Sequence, residues 1–242
     1  MGYECLLAGL PDLKAGADSP ITMEGLLELL DESMKPSDKK LLTQLRMTVD
    51  DPQIDALVAR YDDEDVPESD KPEWWASART ILSDADVRAM LMYEIGLHSN
   101  NAFVRAWYAF NQDMNNIMVA AICRKHGFDV KKMIVGNNEV AETLRTHTTQ
   151  KDFGLSEVMD NFQEILALAT IDNLMEREKR MDALRFEWLQ DKTYFDIFST
   201  EQVLAYYLQA AMLHRWSLLT VEQGEQVFRE MVADMKKGIK ID

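Results

Sequence analysis

The chain has 242 residues, 42 acidic against 26 basic, and a formal net charge of -16. A field of that sign repels phosphate backbones and anionic lipid heads, which argues against nucleic-acid binding and electrostatic membrane docking. Hydrophobic residues at 47% supply a core, and the low count of 10 Gly and 6 Pro argues against an all-β fold rich in tight turns.

The length suits one large body or two fused subdomains. Cys5 and Cys123 are the only cysteines, too few for a disulfide framework, so a reducing cytoplasm is expected. The start, Met1 to Pro11, lacks the positive region of a signal peptide. The longest stretch free of charge and histidine, Gln202 to Leu213, falls short of the roughly 18 residues that cross a bilayer. Any membrane link is therefore expected to run through another protein.

The first apolar run ends at Pro11-Asp12 and reads as a short extended segment. Thr22 caps a helix carrying Leu26, Leu27, Leu29 and Leu30. Pro36-Ser37-Asp38 and Pro52 start two more. Asp62 to Asp70 holds six acids, no base and a proline, and reads as a solvated loop. A Ca²⁺ site or a basic-partner site is the functional alternative. The loop lacks the central Gly and twelfth-position Glu of an EF-hand. The expected organisation is an N-terminal helical region over 1–61, an acidic linker over 62–72 and a main helical body over 73–242. Ser83 with Asp86 gives a capping-box start for the next helix. Phe103, Trp107, Phe110, Met114, Ile117 and Ala121 then form one helical stripe, closed by Arg124-Lys125-His126-Gly127, predicting a long unit over 100–127. A long helix from Ser156 to about Leu189 follows, with two helices as the alternative. Ser199 to Gln202 caps a second long unit over 199–219, and Thr220 to Gln223 caps a last helix through Met235. Val104 to Tyr108 and Val203 to Tyr207 share one pattern, which hints at two related helical units.

Chemistry-bearing patterns are sparse. Glu94 and His98 share a helix face, but no second pair of that type exists to complete a di-metal bundle. The glycines are scattered and form no phosphate loop, and no serine sits in a nucleophile elbow. Cys123 beside Ile122 reads as a small core residue. Asn111, Asp113, Asn115 and Asn116 are poor helix formers concentrated in one helix. They read either as partners of neighbouring helix ends or as a polar rim that contacts another protein. Tyr206, Tyr207, Arg215 and Trp216 form a comparable cluster, interface-prone in type but as readily core.

Phe110 to Ile117, Arg124 to Asp129, Ile134 to Val140, Lys151 to Leu155, Asn173 to Asp182 and Val203 to Leu208 together form a signature. It resembles a bacterial family encoded among V/A-type ATPase subunits. Its helices are similar to those of the socket protein of that rotary ATPase, the C-type subunit (d-type in eukaryotes). The socket protein repeats a helix with a carboxylate, two variable residues, an Asn and a hydrophobic residue, followed by a short helix and Gly. Asp113, Asn116, Ile117 and Gly136 match the pattern here, whereas the late unit has Met212, Arg215 and Trp216 instead. The resemblance implies an all-α protein of packed helical hairpins and a non-enzymatic subunit without a cofactor. Such a subunit sits on the cytoplasmic side of the membrane ring, peripheral to the inner membrane, and joins it to the central stalk. The alternatives are a transient assembly or regulatory factor of the same complex, or a helical metalloenzyme with a site near Glu94/His98.

Overall fold

The computed structural model describes residues 2–156, 159 and 161–218. Among these residues the fold is all-α, with no strand. In chain order the first helices are α1 (Glu4–Gly9), α2 (Met23–Ser33), α3 (Pro36–Arg46), α4 (Pro52–Asp62), α5 (Trp75–Ile81) and α6 (Asp84–Leu97). They continue with α7 (Ala102–His126), α8 (Val130–Met133), α9 (Glu139–Thr146), α10 (Phe162–Leu168), α11 (Leu174–Thr193) and α12 (Thr200–Leu218). Among the described residues no helix is long and apolar enough to cross a membrane.

The chain divides into two compact units. One comprises Met1–Asp38 and Asp182–Asp242, the other Lys39–Met181, so the boundaries fall inside α3 and α11. The acidic stretch lies in the Lys39–Met181 unit. It is largely exposed and carries a short 3-10 turn over Glu68–Asp70. The two helices that echo each other in sequence fall one in each unit, and each is buried around much of its circumference. In α12 every residue from Val203 to Ala210 is buried. Helix α7 buries Val104, Tyr108, Gln112, Asn116 and Ala120 besides the expected stripe, because α6, α8, α9 and α10 all pack on it. A helix apolar on several faces is a central one.

Local signals set most helix ends. The Thr22 hydroxyl accepts the Gly25 N–H at 3.2 Å, and Ser83 accepts the Asp86 N–H at 3.2 Å. Gly127 takes φ 74° and closes α7, where a side chain would be strained. Two expectations need correction. The N-terminal run is not extended: Glu4–Gly9 is helical, with Leu6 buried and irregular chain beginning only after it. A helix of this length is unstable alone, and tertiary anchoring decides it. Tyr3 provides that anchor, donating its N–H to the Phe198 carbonyl at 2.8 Å. Nor does one helix run from Ser156 to Leu189. Residues 169–173 are non-helical, and Asn173 caps the second piece by accepting the Glu176 N–H at 3.0 Å. The anticipated last helix from Thr220 to Met235 lies outside the described residues.

A buried polar knot joins three elements of the first unit. The Asp38 carboxylate accepts hydroxyl protons from Tyr3 at 2.5 Å, Thr200 at 2.9 Å and Ser37 at 2.9 Å. Burial pushes its pKa up, but the three donors outweigh that and hold it below the usual carboxylate value. Asp38→Ala is expected to cost about 2 kcal/mol at neutral pH, since it strands buried hydroxyls. The folded pKa is depressed, so the contribution of Asp38 is full above the unfolded value and lost as pH falls through the folded one. The gap between wild type and variant in urea titrations should therefore narrow as pH falls into the acid range; a gap that does not narrow would contradict this assignment.

Candidate functional site

Asn111, Asp113, Asn115 and Asn116 of α7 each find a partner within their own unit. Asn116, 2% exposed, clips the chain segment that precedes α9. Its amide nitrogen donates to the Val135 carbonyl at 2.7 Å, and its amide oxygen accepts the Val135 N–H at 3.0 Å. One turn earlier, Asp113 accepts from the Asn138 amide at 2.7 Å, and the Asn138 oxygen caps α9 by accepting the Ala141 N–H at 2.9 Å. Gly136 sits between these two ties at φ 82°. The turn favours glycine there, and a Cβ would stand 2.7 Å from the amide end of the buried Gln112 side chain, which would have to shift. From α9, Arg145 donates to the carbonyls of Ile134 at 3.0 Å and Gly136 at 2.6 Å while pairing with Glu142 at 2.6 Å. The spacing of Asp113 and Asn116 puts both on one helix face, and that face grips the loop.

Burial raises the pKa of Asp113, and the Asn138 bond only partly offsets it. Asp113→Asn keeps an accepting oxygen and removes a charge that is costly to bury. It is expected to raise the unfolding midpoint slightly at neutral pH. The folded pKa of the native carboxyl is elevated, so its cost is present above that value and disappears as pH falls toward the unfolded value of about 3.9. Thermal unfolding at neutral pH and in acid checks this; a variant less stable than wild type at neutral pH would refute it.

Asn115 points to a different neighbour, donating to the Tyr93 hydroxyl on α6 at 2.5 Å. This pair lies on the wall of a cavity of about 340 Å³ among α6, α7, the 133–135 segment and the first turns of α11. Met90, Met118, Met133 and Met181 line it, with Asp86, Arg177 and Glu178 as its charged members. A second groove of about 310 Å³ shares Leu82, Met90 and Val135 and carries Lys131 and Lys132. Methionine lining gives a deformable apolar surface. Such a surface can hold an apolar side chain or ligand, and it brings together no nucleophile with a base. Asn111 makes a local bond, its amide donating to the Trp107 carbonyl at 2.8 Å.

Arg215 and Trp216 converge in the other unit. Both donate to the buried Asp182 carboxylate, Trp216 at 2.8 Å, and Arg185 adds a third donor at 2.8 Å. Glu94 and His98 are neighbours on α6 and its cap. The His98 Nδ1 lies 2.8 Å from the Glu94 carbonyl and 3.7 Å from its carboxylate. Among the described residues no group of three or more His, Cys, Asp or Glu is placed to hold a metal ion.

A family model described as "Protein of unknown function (DUF2764)" matches residues 73–239. The chain belongs to the DUF2764 family. No curated protein and no solved structure matches it. The family match covers α5 through α12 and thus contains the whole Asn116 clasp of this DUF2764 protein. Three features went unread in the sequence. Asn138 and Asp182 work as partners of distant residues and carry no local mark. Tyr194-Phe195-Asp196-Ile197-Phe198 did carry one, an apolar run between two helices with no helical stripe to join.

Proposed function

We propose that this DUF2764 protein is a non-catalytic part of a V/A-type rotary ATPase, coupling the central stalk to the membrane ring in the manner of the socket protein its helices resemble. The observation that carries the reading is the clasp. Asp113, Asn116 and Gly136, the residues that match the socket pattern, are all used to lock a loop and α9 onto α7. A part that transmits torque needs stiffness, and satisfied buried polar ties on close-packed helices supply it. The net charge of -16 fits a partner with a basic foot, since opposite charge speeds encounter.

Purification of the intact membrane complex from cells carrying a tagged chain tests the reading. Stoichiometric co-purification with stalk and ring subunits is expected. Presence in assembly intermediates alone would make it an assembly factor, and absence from both would remove the rotary ATPase altogether. Affinity for the stalk subunits should fall as salt rises; a salt-independent affinity would discard the steering argument.

A further inference from the structure

The loop between α11 and α12 carries its apolar side chains on the outside. Tyr194, Phe195 and Ile197 are 73%, 88% and 68% exposed, and Phe198 is 38% exposed. Single exposed apolar residues are ordinary; a contiguous run of large ones marks an interaction surface. This loop is held in place. Asp196 donates its N–H to the Thr193 carbonyl at 3.1 Å, Ser199 donates its own to the Asp196 carbonyl at 3.1 Å, and the Phe198 carbonyl takes the Tyr3 N–H. Phe198 itself sits at φ 63°, a left-handed conformation that a bulky residue adopts only when its surroundings impose it. The Tyr194 and Phe195 rings pack edge to face at 4.9 Å.

Beside the loop lies a groove of about 620 Å³, lined by Leu7, Leu10, Leu13, Ile197, Phe198 and Tyr206 among others. The Tyr206 hydroxyl donates to the Pro11 carbonyl at 2.8 Å, which fixes the segment bearing Leu10 and Leu13. The charged residues of the lining are Asp12 and Asp191, with no Lys or Arg among its described residues. Asp196 adds an exposed acid on the loop, and the nearby Lys192 turns its ammonium over the Trp188 ring at 5.7 Å. The lining is mixed, with Gln190, Gln202 and Gln209 among its leucines, and the exposed apolar loop at its rim together with the acids Asp12, Asp191 and Asp196 complements an apolar stripe flanked by lysine or arginine. The same acids repel an anionic bilayer.

We propose that this groove docks a helix of a partner protein that carries an apolar stripe and a basic flank. The site holds whether or not that partner belongs to a rotary ATPase, so the failure of either reading leaves the other standing. The full chain is titrated by fluorescence anisotropy with a designed helical peptide bearing a leucine stripe and a lysine face. A second peptide carries glutamate in place of lysine. The lysine peptide is expected to bind tighter by roughly tenfold or more, with an affinity that falls as salt rises. Phe195→Ser combined with Ile197→Ser leaves the net charge unchanged and touches only exposed side chains; it should weaken binding by about tenfold or more. Asp191→Lys should weaken the lysine peptide and favour the glutamate one. Equal affinity for both peptides, or undiminished binding by the double serine variant, overturns the proposal. So does a dimer of the wild-type chain that the double variant loses, which would make a second copy the occupant. Binding to phosphatidylcholine vesicles containing phosphatidylglycerol, lost in the double variant, would overturn it in favour of a lipid surface.

Discussion

Replacing Gly96 with alanine should lower stability by about 3 kcal/mol, even though alanine is the better helix former. Gly96 lies inside α6, where glycine costs roughly 1 kcal/mol relative to alanine, so its presence marks a packing demand. The demand is the Tyr108 ring of α7. A Cβ on Gly96 would fall 2.2 Å from both Cγ and Cδ2 of that ring. Those atoms belong to the rigid body of a buried side chain. The ring is pinned at its far end, where the hydroxyl donates to the Gln44 carbonyl at 2.7 Å. Burial also pushes that hydroxyl's pKa up to about 12, so it stays protonated as a donor at neutral pH. Because α6 and α7 are closely packed, relief requires moving a helix. Urea denaturation of both proteins measures the effect. A double-mutant cycle isolates it: in a Tyr108→Ala background the Gly96→Ala step should turn stabilising, by about 1 kcal/mol. A loss below about 1 kcal/mol in the single variant would mean that the ring moves freely and that the contact is not a constraint.

The second large effect is expected at Asn116. Asn116→Ala removes both bonds to Val135 and leaves that residue's N–H and C=O without partners beside a buried helix face. Each stranded group costs about 1–3 kcal/mol, so a total loss of about 3 kcal/mol follows. Gly136 and Arg145 hold the same loop from other directions, so local opening there should accompany the loss. Hydrogen exchange at residues 134–138 would register faster opening, and unchanged protection would show that the clasp is dispensable. Asn116→Asp gives a sharper signature. It retains the acceptor for the Val135 N–H but sets a carboxylate against the Val135 carbonyl oxygen. The folded pKa of the new acid is then raised, so its penalty applies above that value and is relieved as pH falls through it. A variant equally unstable in acid and at neutral pH would contradict this geometry.

Much of the secondary structure was legible because its causes are local. Thr22 and Ser83 reach backbone donors three residues on, and Gly127 needs no partner to end α7. The alternating apolar steps of α7 and the caps of α12 follow from the same short-range geometry. The site was legible only in part. Residue types drew attention to Asn116, Asp113 and Gly136, and one reading made the α7 pair partners of neighbouring helix ends. The partner of Asn116 lies 19 residues away at Val135, and no periodicity encodes it.

Short-range interactions along the chain set its helical character, its strongest helix limits and the short list of polar residues that are poor helix formers. Those properties depend on interactions within about one helical turn. Packing between distant segments set the rest. It made the N-terminal run helical and set Tyr3 and Thr200 on Asp38 from 35 and 162 residues away. It also left Phe195 in solvent while burying α12 from Val203 to Ala210. Hydrophobicity dictates that apolar surface seeks cover, but which surface finds it depends on contacts between distant segments, and those exist only once the helices have packed.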